Sequence, residues 1–207
     1  MQPIDAVLAC GPVIAVLVIE DVQDAVPLAR ALAAGGVRAL EVTLRTPAAL
    51  SAIERIAGEV ENVLVGAGTV LRPADAKAAK AAGSGFAVSP GLTSDLAQAA
   101  RDQGLPFLPG VATASEIIAG LELGLDRFKF FPAETSGGAP AVKAFFGPFA
   151  DIRFCPTGGI TPQNAPSYLA LPNVVCVGGS WLAPADAVKA GDWARIEALA
   201  RTASALA

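Results

Sequence analysis

Eight short runs rich in β-branched and aromatic residues recur along the chain, at 13–19, 37–42, 62–69, 85–90, 105–110, 127–132, 152–159 and 173–180. Alanine-rich segments of helical length separate them. Buried strands that alternate with helices imply a parallel sheet with both faces covered. The helical segments carry their own end signals. "TSDL" at 93 and "TASE" at 113 place threonine at an N-cap, the second with Glu116 three residues on as a capping box, and several segments close on glycine. Repeated βα units of this length close most economically into an α/β (β/α)8 TIM barrel. The segment "IDAVLAC" at 4–10 reads as an extra N-terminal helix covering the barrel bottom. All of 1–207 then forms one domain, long enough to bury about 70% of the unfolded chain's surface. An open doubly wound sheet is the alternative; the lack of a G-x-G-x-x-G motif after the first strand disfavours it.

Composition excludes several classes of function. The chain is 53% hydrophobic, yet charged residues and glycines interrupt every apolar run before it approaches the ~18 residues of a membrane span, so no membrane partner is expected. The start, "MQPIDAVLACGP", has no basic region and no small-residue cleavage site, which makes a cytoplasmic location the expectation. A net charge of −4 without any Lys/Arg run lacks the footprint of a nucleic-acid binder. Cys10, Cys155 and Cys176 form no C-x-x-C pair and read as packed thiols. No histidine occurs anywhere, which excludes a Ser-His-Asp triad and disfavours a zinc or ferrous site. Catalysis would have to use Lys, Glu, Asp, Arg or hydroxyls.

Against that inventory, "DRFKFFPAE" at 126–134 stands out. The two-residue period of a strand sends Phe128 and Phe130 toward the helices and Arg127, Lys129 and Phe131 toward the barrel interior. Of five lysines, only Lys129 falls within a predicted strand. The same period in "RALEVTLRT" puts Leu40, Val42 and Leu44 on one face, and Glu41, Thr43 and Arg45 on the other, facing the mouth. An inward lysine can be structural, ion-paired with Glu41 or Asp126, although such buried pairs often add no stability. It can also be chemical: burial near Arg45 favours the neutral amine, a nucleophile that forms a Schiff base with a ketone or aldehyde.

Glycine pairs mark a second locus. "PTGGI" and "VGGSW" end the seventh and eighth predicted strands, where barrels of this kind hold phosphate. Gly158, Gly159, Gly178 and Gly179 allow backbone N–H groups to approach an anion, and Ser180 adds a hydroxyl. Either pair alone also suits a tight βα turn. Thr69 and Pro90 lie at further strand ends, where turn chemistry is the commoner role.

Taken in order, "EVTLRT", "GAGTVL", "SPGL", "RFKFFPAE", "FCPTGGI" and "GGSW" resemble the class I 2-keto-3-deoxy-6-phosphogluconate aldolases, including their bifunctional 4-hydroxy-2-oxoglutarate aldolase members, over nearly the whole chain. The resemblance implies a homotrimeric barrel without metal or other cofactor. It would act on a small-molecule phosphorylated keto acid in the Entner–Doudoroff pathway, releasing pyruvate and glyceraldehyde 3-phosphate. Matched by motif, Lys129 takes the family's Schiff-base position and Glu41 its general acid/base position. Arg45 and Thr69 match contacts to the pyruvate carboxylate. Pro90 and Phe131 match pocket walls, and Thr157 matches a residue near the aldehyde portion that influences stereoselectivity. Gly158, Gly159, Gly179 and Ser180 match the phosphate site. A phosphate-binding barrel lyase or isomerase of another reaction class, and a noncatalytic binder of phosphorylated sugar acids, are the alternatives.

Overall fold

A computed structural model describes residues 2–206. The chain opens with a one-turn helix, α1 (Asp5–Leu8), and then alternates strands with helices. The first half comprises β1 (Val13–Leu17), α2 (Ala25–Ala34), β2 (Ala39–Thr43), α3 (Ala49–Glu59), β3 (Leu64–Gly68), α4 (Pro73–Ala81), β4 (Ala87–Val88) and α5 (Ser94–Asp102). The second comprises β5 (Phe107–Leu108), β6 (Gly110–Val111), α6 (Ala114–Glu122), β7 (Arg127–Phe130), α7 (Gly138–Phe145), β8 (Arg153–Pro156), α8 (Ala165–Leu169), β9 (Val177–Gly179), α9 (Ala185–Ala190) and α10 (Trp193–Ser204). The anticipated caps form. Thr93 accepts from the N–H of Leu96, and Thr113 and Glu116 exchange hydrogen bonds as a capping box.

Every strand pair is parallel. One curled sheet has the order β5-β4-β3-β2-β1-β9 and a second the order β6-β7-β8. The eight predicted strands thus appear as nine segments in two sheets. The run at 105–110 is cut at Pro109, which has no N–H to give the ladder, although its carbonyl still accepts from Lys129. The run at 173–180 is regular only over Val177–Gly179. Its first part leans on β8, where Val175 donates to the Phe154 carbonyl, before Val177 crosses to Pro12 beside β1. Isolated bridges Phe154–Val174 and Thr157–Gly178 join the two sheets on that side.

Alternation along the strands divides the apolar residues into two cores. Val13, Ala15, Leu17, Leu40, Val42, Phe128, Phe130 and Phe154 face outward into a large layer shared with the helices. In that layer Phe130 meets Phe145 and Phe154 edge-on. Inside the curled sheet a smaller core joins Ile14, Ala39, Phe86, Val88 and Leu108 to Ile4, Val7 and Leu8 of the α1 region. The N-terminal helix therefore plugs one end of the interior, and an ion pair from Arg127 to Asp5 at 2.7 Å fixes it there. Cys155 and Cys176 are free thiols in this inner core; their mutual contact and burial push the Cys176 thiol well up, as suits packed sulfur. Among the described residues no helix is long and apolar enough to cross a membrane.

Candidate active site

The plugged end leaves the opposite, C-terminal end of the strands open, and there a cavity of about 300 Å3 enters the interior. Its floor is a charge pair. Lys129 projects inward from the middle of β7 and Glu41 from the middle of β2, 88 residues earlier in sequence. Lys129 Nζ donates to Glu41 Oε1 at 3.0 Å and stands 3.5 Å from Oε2. The two residues are only 5% and 3% exposed, so the pair is largely withdrawn from bulk water and reached only through the cavity. Asp126, the other anticipated partner, pairs instead with Arg127 at 3.2 Å. Isolated removal of a charge from such a pair is costly, whereas a proton can pass between its members along the existing hydrogen bond.

The wall around the pair is built from strand ends. Phe131 lies beside Lys129, with Nζ 5.2 Å from the ring centroid, a cation–π distance. Thr69 follows β3 with φ of 58°, a left-handed conformation rare for a β-branched residue, so the backbone is strained where it meets the cavity. Pro90 completes that side, and Arg45 stands exposed at the lip, beyond Glu41 on the same strand extension. Strain of this kind persists only when the surroundings enforce it.

Across the cavity, Thr157, Gly158, Gly159 and Ser180 form the far wall. The carbonyls of Thr157, Gly158 and Gly159 are all occupied, accepting from Ala133 N at 2.8 Å, Glu134 N at 3.1 Å and Asn164 Nδ2 at 3.0 Å. In a trans peptide the following N–H points opposite to the carbonyl. The N–H groups of Gly159 and Ile160 are therefore turned the other way, and neither donates to a protein acceptor among the described residues, while the Gly158 N–H faces the Gly178 carbonyl across the Thr157–Gly178 bridge. Positive φ at Gly158 (99°) and Gly159 (79°) permits this turn, and neighbouring N–H groups on one side of such a turn are the kind of concavity that can hold an anion.

The cavity thus gathers every candidate except Gly179. A Cβ on Gly179 would fall 2.0 Å from the Trp181 ring, so this glycine packs behind the wall. Its neighbour Gly178 lines the cavity instead and leaves the room that Thr157 occupies: a Cβ there would meet Thr157 Oγ1 at 2.2 Å. Val16 and Ile160 also line it and were not singled out from sequence. The alternation in β1 that turns Val13, Ala15 and Leu17 outward is the signal that places Val16 inward. No group of three or more His, Cys, Asp or Glu is arranged to hold a metal among the described residues.

Known proteins carry the same chain plan. The sequence profile described as KDPG and KHG aldolase matches residues 4–199. A 2-dehydro-3-deoxy-phosphogluconate aldolase of Pseudoalteromonas atlantica is 58% identical over 96% of this chain and 93% of its own. The crystal structure of the 2-keto-3-deoxy-6-phosphogluconate aldolase of Zymomonas mobilis with 3-phosphoglycerate is 55% identical, with a TM-score of 0.94 over 99% of this chain and 96% of that one. The KDPG aldolase of Legionella pneumophila, with pyruvate captured as a covalent carbinolamine, is 49% identical, with a TM-score of 0.96 over 99% of both chains. With the match running through nearly every strand and helix, this chain belongs to the KDPG and KHG aldolase family.

Proposed function

We propose that this protein is a class I aldolase that reversibly cleaves 2-keto-3-deoxy-6-phosphogluconate (KDPG) to pyruvate and glyceraldehyde 3-phosphate. In the same cavity it also cleaves 4-hydroxy-2-oxoglutarate (KHG) to pyruvate and glyoxylate. The observation that carries the reading is the buried 3.0 Å contact between the inward lysine and a carboxylate, opposite a turn whose Gly159 and Ile160 N–H groups meet no protein acceptor among the described residues.

Proton transfer from Lys129 to Glu41 leaves a neutral amine, which attacks the C2 ketone of the substrate. The resulting carbinolamine loses water, with Glu41 supplying the proton, to give an iminium; a carbinolamine of pyruvate is the species named in the Legionella relative. When the C3–C4 bond breaks, its electrons flow into the iminium, and Glu41, directly or through one water, takes the C4 hydroxyl proton. The aldehyde leaves. Glu41 returns the proton to C3 of the enamine, and water hydrolyses the iminium to free pyruvate and Lys129. With the iminium as electron sink, the reaction draws on no metal or other cofactor. Arg45 and Thr69 hold the keto-acid carboxylate at the lip, Pro90 and Phe131 wall the keto-acid portion, and Thr157 faces the aldehyde portion. Gly158, Gly159 and Ser180 receive the phosphate, whose binding energy orients the reacting carbons; Gly179 supports that wall from behind.

The two sheets read together as one closed (β/α)8 barrel of a single domain. Only Pro109 separates β5 from β6, and two bridges link β8 to the β9 segment, which supports closure on both sides. Working as a cytoplasmic homotrimer is part of the same reading. Borohydride reduction in the presence of pyruvate, followed by peptide mass analysis, tests it: the adduct is expected on Lys129. An adduct on another lysine, or none, overturns the Schiff-base assignment, and absence of pyruvate release in a lactate dehydrogenase-coupled assay overturns the activity.

A further inference from the structure

Beneath the glycine turn lies a contact that the mechanism does not use. Tyr168, on α8 and almost wholly buried, donates its hydroxyl hydrogen to Glu134 Oε1. Burial, with the hydrogen bond to Glu134 and its charge, pushes the phenol well above its ordinary value, so it remains a donor throughout the working pH range. Glu134 is otherwise an exposed side chain in the loop after β7. Its stem lies against Gly159 so closely that a Cβ there would meet Glu134 Cγ at 2.6 Å, and its own N–H donates to the Gly158 carbonyl. Gly138, where the loop turns into α7, sits beside both the phenol oxygen and Glu134 Oε1. One residue therefore touches the turn twice, by backbone and by stem, and the phenol anchors its far end.

Two consequences follow from this geometry. The Gly158 carbonyl must stay on Glu134 N for the Gly159 N–H to face the cavity, so any drift of the 133–134 segment rotates a donor away. The Glu134 carboxylate is also an anion beside a turn read as an anion site, and its bond to the phenol holds it outside the cavity lining. We propose that Tyr168 and Glu134 are positioning residues that set phosphate affinity without touching substrate. The phenol clamps Glu134 so that the Gly158–Gly159 turn presents its N–H groups and no competing carboxylate swings toward the phosphate. The proposal rests on the assignment of that turn as the phosphate site.

The test is steady-state kinetics of the full chain with KDPG, which carries a phosphate, and with KHG, which does not, together with inhibition by inorganic phosphate. Tyr168→Phe is expected to raise KM for KDPG about three- to tenfold and to weaken phosphate inhibition by the same factor, as for one hydrogen bond lost. The values of kcat and of KM for KHG should stay within about twofold of wild type on that basis. Glu134→Ala, a change at an exposed side chain, is expected to do the same and decides the matter if Tyr168→Phe does not fold. Glu134→Gln keeps an acceptor for the phenol and should recover most of the affinity that Glu134→Ala loses. Equal KM shifts on both substrates, a loss confined to kcat, or no change would overturn the positioning role. If wild type itself shows no phosphate inhibition and no preference for KDPG, the phosphate assignment falls, and the positioning role with it.

Discussion

A methyl group at Gly68 is expected to disable the site without touching the lysine or the substrate. Gly68 ends β3 in register with Thr43, and the space where its Cβ would be is filled by the Glu41 carboxyl. The added carbon would stand 2.3 Å from Oε1, 2.6 Å from Cγ and 2.8 Å from Cδ. Carbon needs about 3.5 Å from such neighbours, so in Gly68→Ala the carboxyl must retreat by roughly 1 Å. A shift of about 1 Å away from Nζ is enough to take the Lys129–Glu41 contact from 3.0 Å to beyond hydrogen-bond range. The backbone at Gly68 is not in the left-handed region, so alanine fits its φ, and the clash falls on side-chain atoms that can turn aside. The cost in stability should therefore be small, about 1 kcal/mol, while a 1 Å displacement of the acid/base should lower kcat by about 10²-fold. Coupled detection of pyruvate gives kcat, and borohydride trapping gives imine formation, which should persist at a reduced rate. A Gly68→Ala enzyme that turns over within about threefold of wild type would refute the claim that Glu41 acts from this position.

Removal of one member of the buried pair tests its energetics. Lys129→Met should abolish pyruvate trapping and destabilise the fold by about 3 kcal/mol in urea, because Glu41 is left without its partner. Adding Glu41→Gln should return most of that stability, and a single variant as stable as wild type would show that the pair is not desolvated as described. Thr69→Gly relieves a left-handed threonine and should raise the melting temperature by a few degrees, for roughly 1 kcal/mol, while weakening pyruvate binding. A variant with unchanged pyruvate affinity would remove Thr69 from the carboxylate site. At the plugged end, burial works to raise the Asp5 carboxyl, but hydrogen bonds from Arg127 and the Gln2 N–H outweigh it and hold the carboxyl below its usual value. Such a group contributes stability above its unfolded pKa and loses it as pH falls through the folded one. The stability difference between wild type and Asp5→Asn should therefore be full at neutral pH and shrink below about pH 4. A difference that does not change with pH would exclude the Asp5–Arg127 contact as its source.

The periodicity of single strands was readable before any coordinates. The outward Phe128 and Phe130, the inward Lys129 and Glu41, and the threonine caps at 93 and 113 each depend on a few neighbouring residues, and the structure has them so. The interruption at Pro109 is also local, since a residue without N–H stands inside the run at 105–110, but the apolar residues on both sides of it hide the break. The distinction between Gly178 and Gly179 was not local. Both belong to "VGGSW", and only the Trp181 ring behind one and the Thr157 hydroxyl before the other separate them.

The sequence by itself determined the alternation of strands with helices and the face each strand residue takes, because a two-residue period and the capping of a helix are decided within a few peptide units. Only the tertiary structure decided which inward groups meet. Lys129 reaches Glu41 rather than Asp126 because parallel strands from distant parts of the chain curl around one interior, and their register fixes which residues stand level. The aim of the Gly158–Gly159 turn was decided in the same way, by carbonyls caught on Ala133, Glu134 and Asn164 and by a phenol from α8. Hydrogen bonds between segments set that aim, and no period along the chain records them.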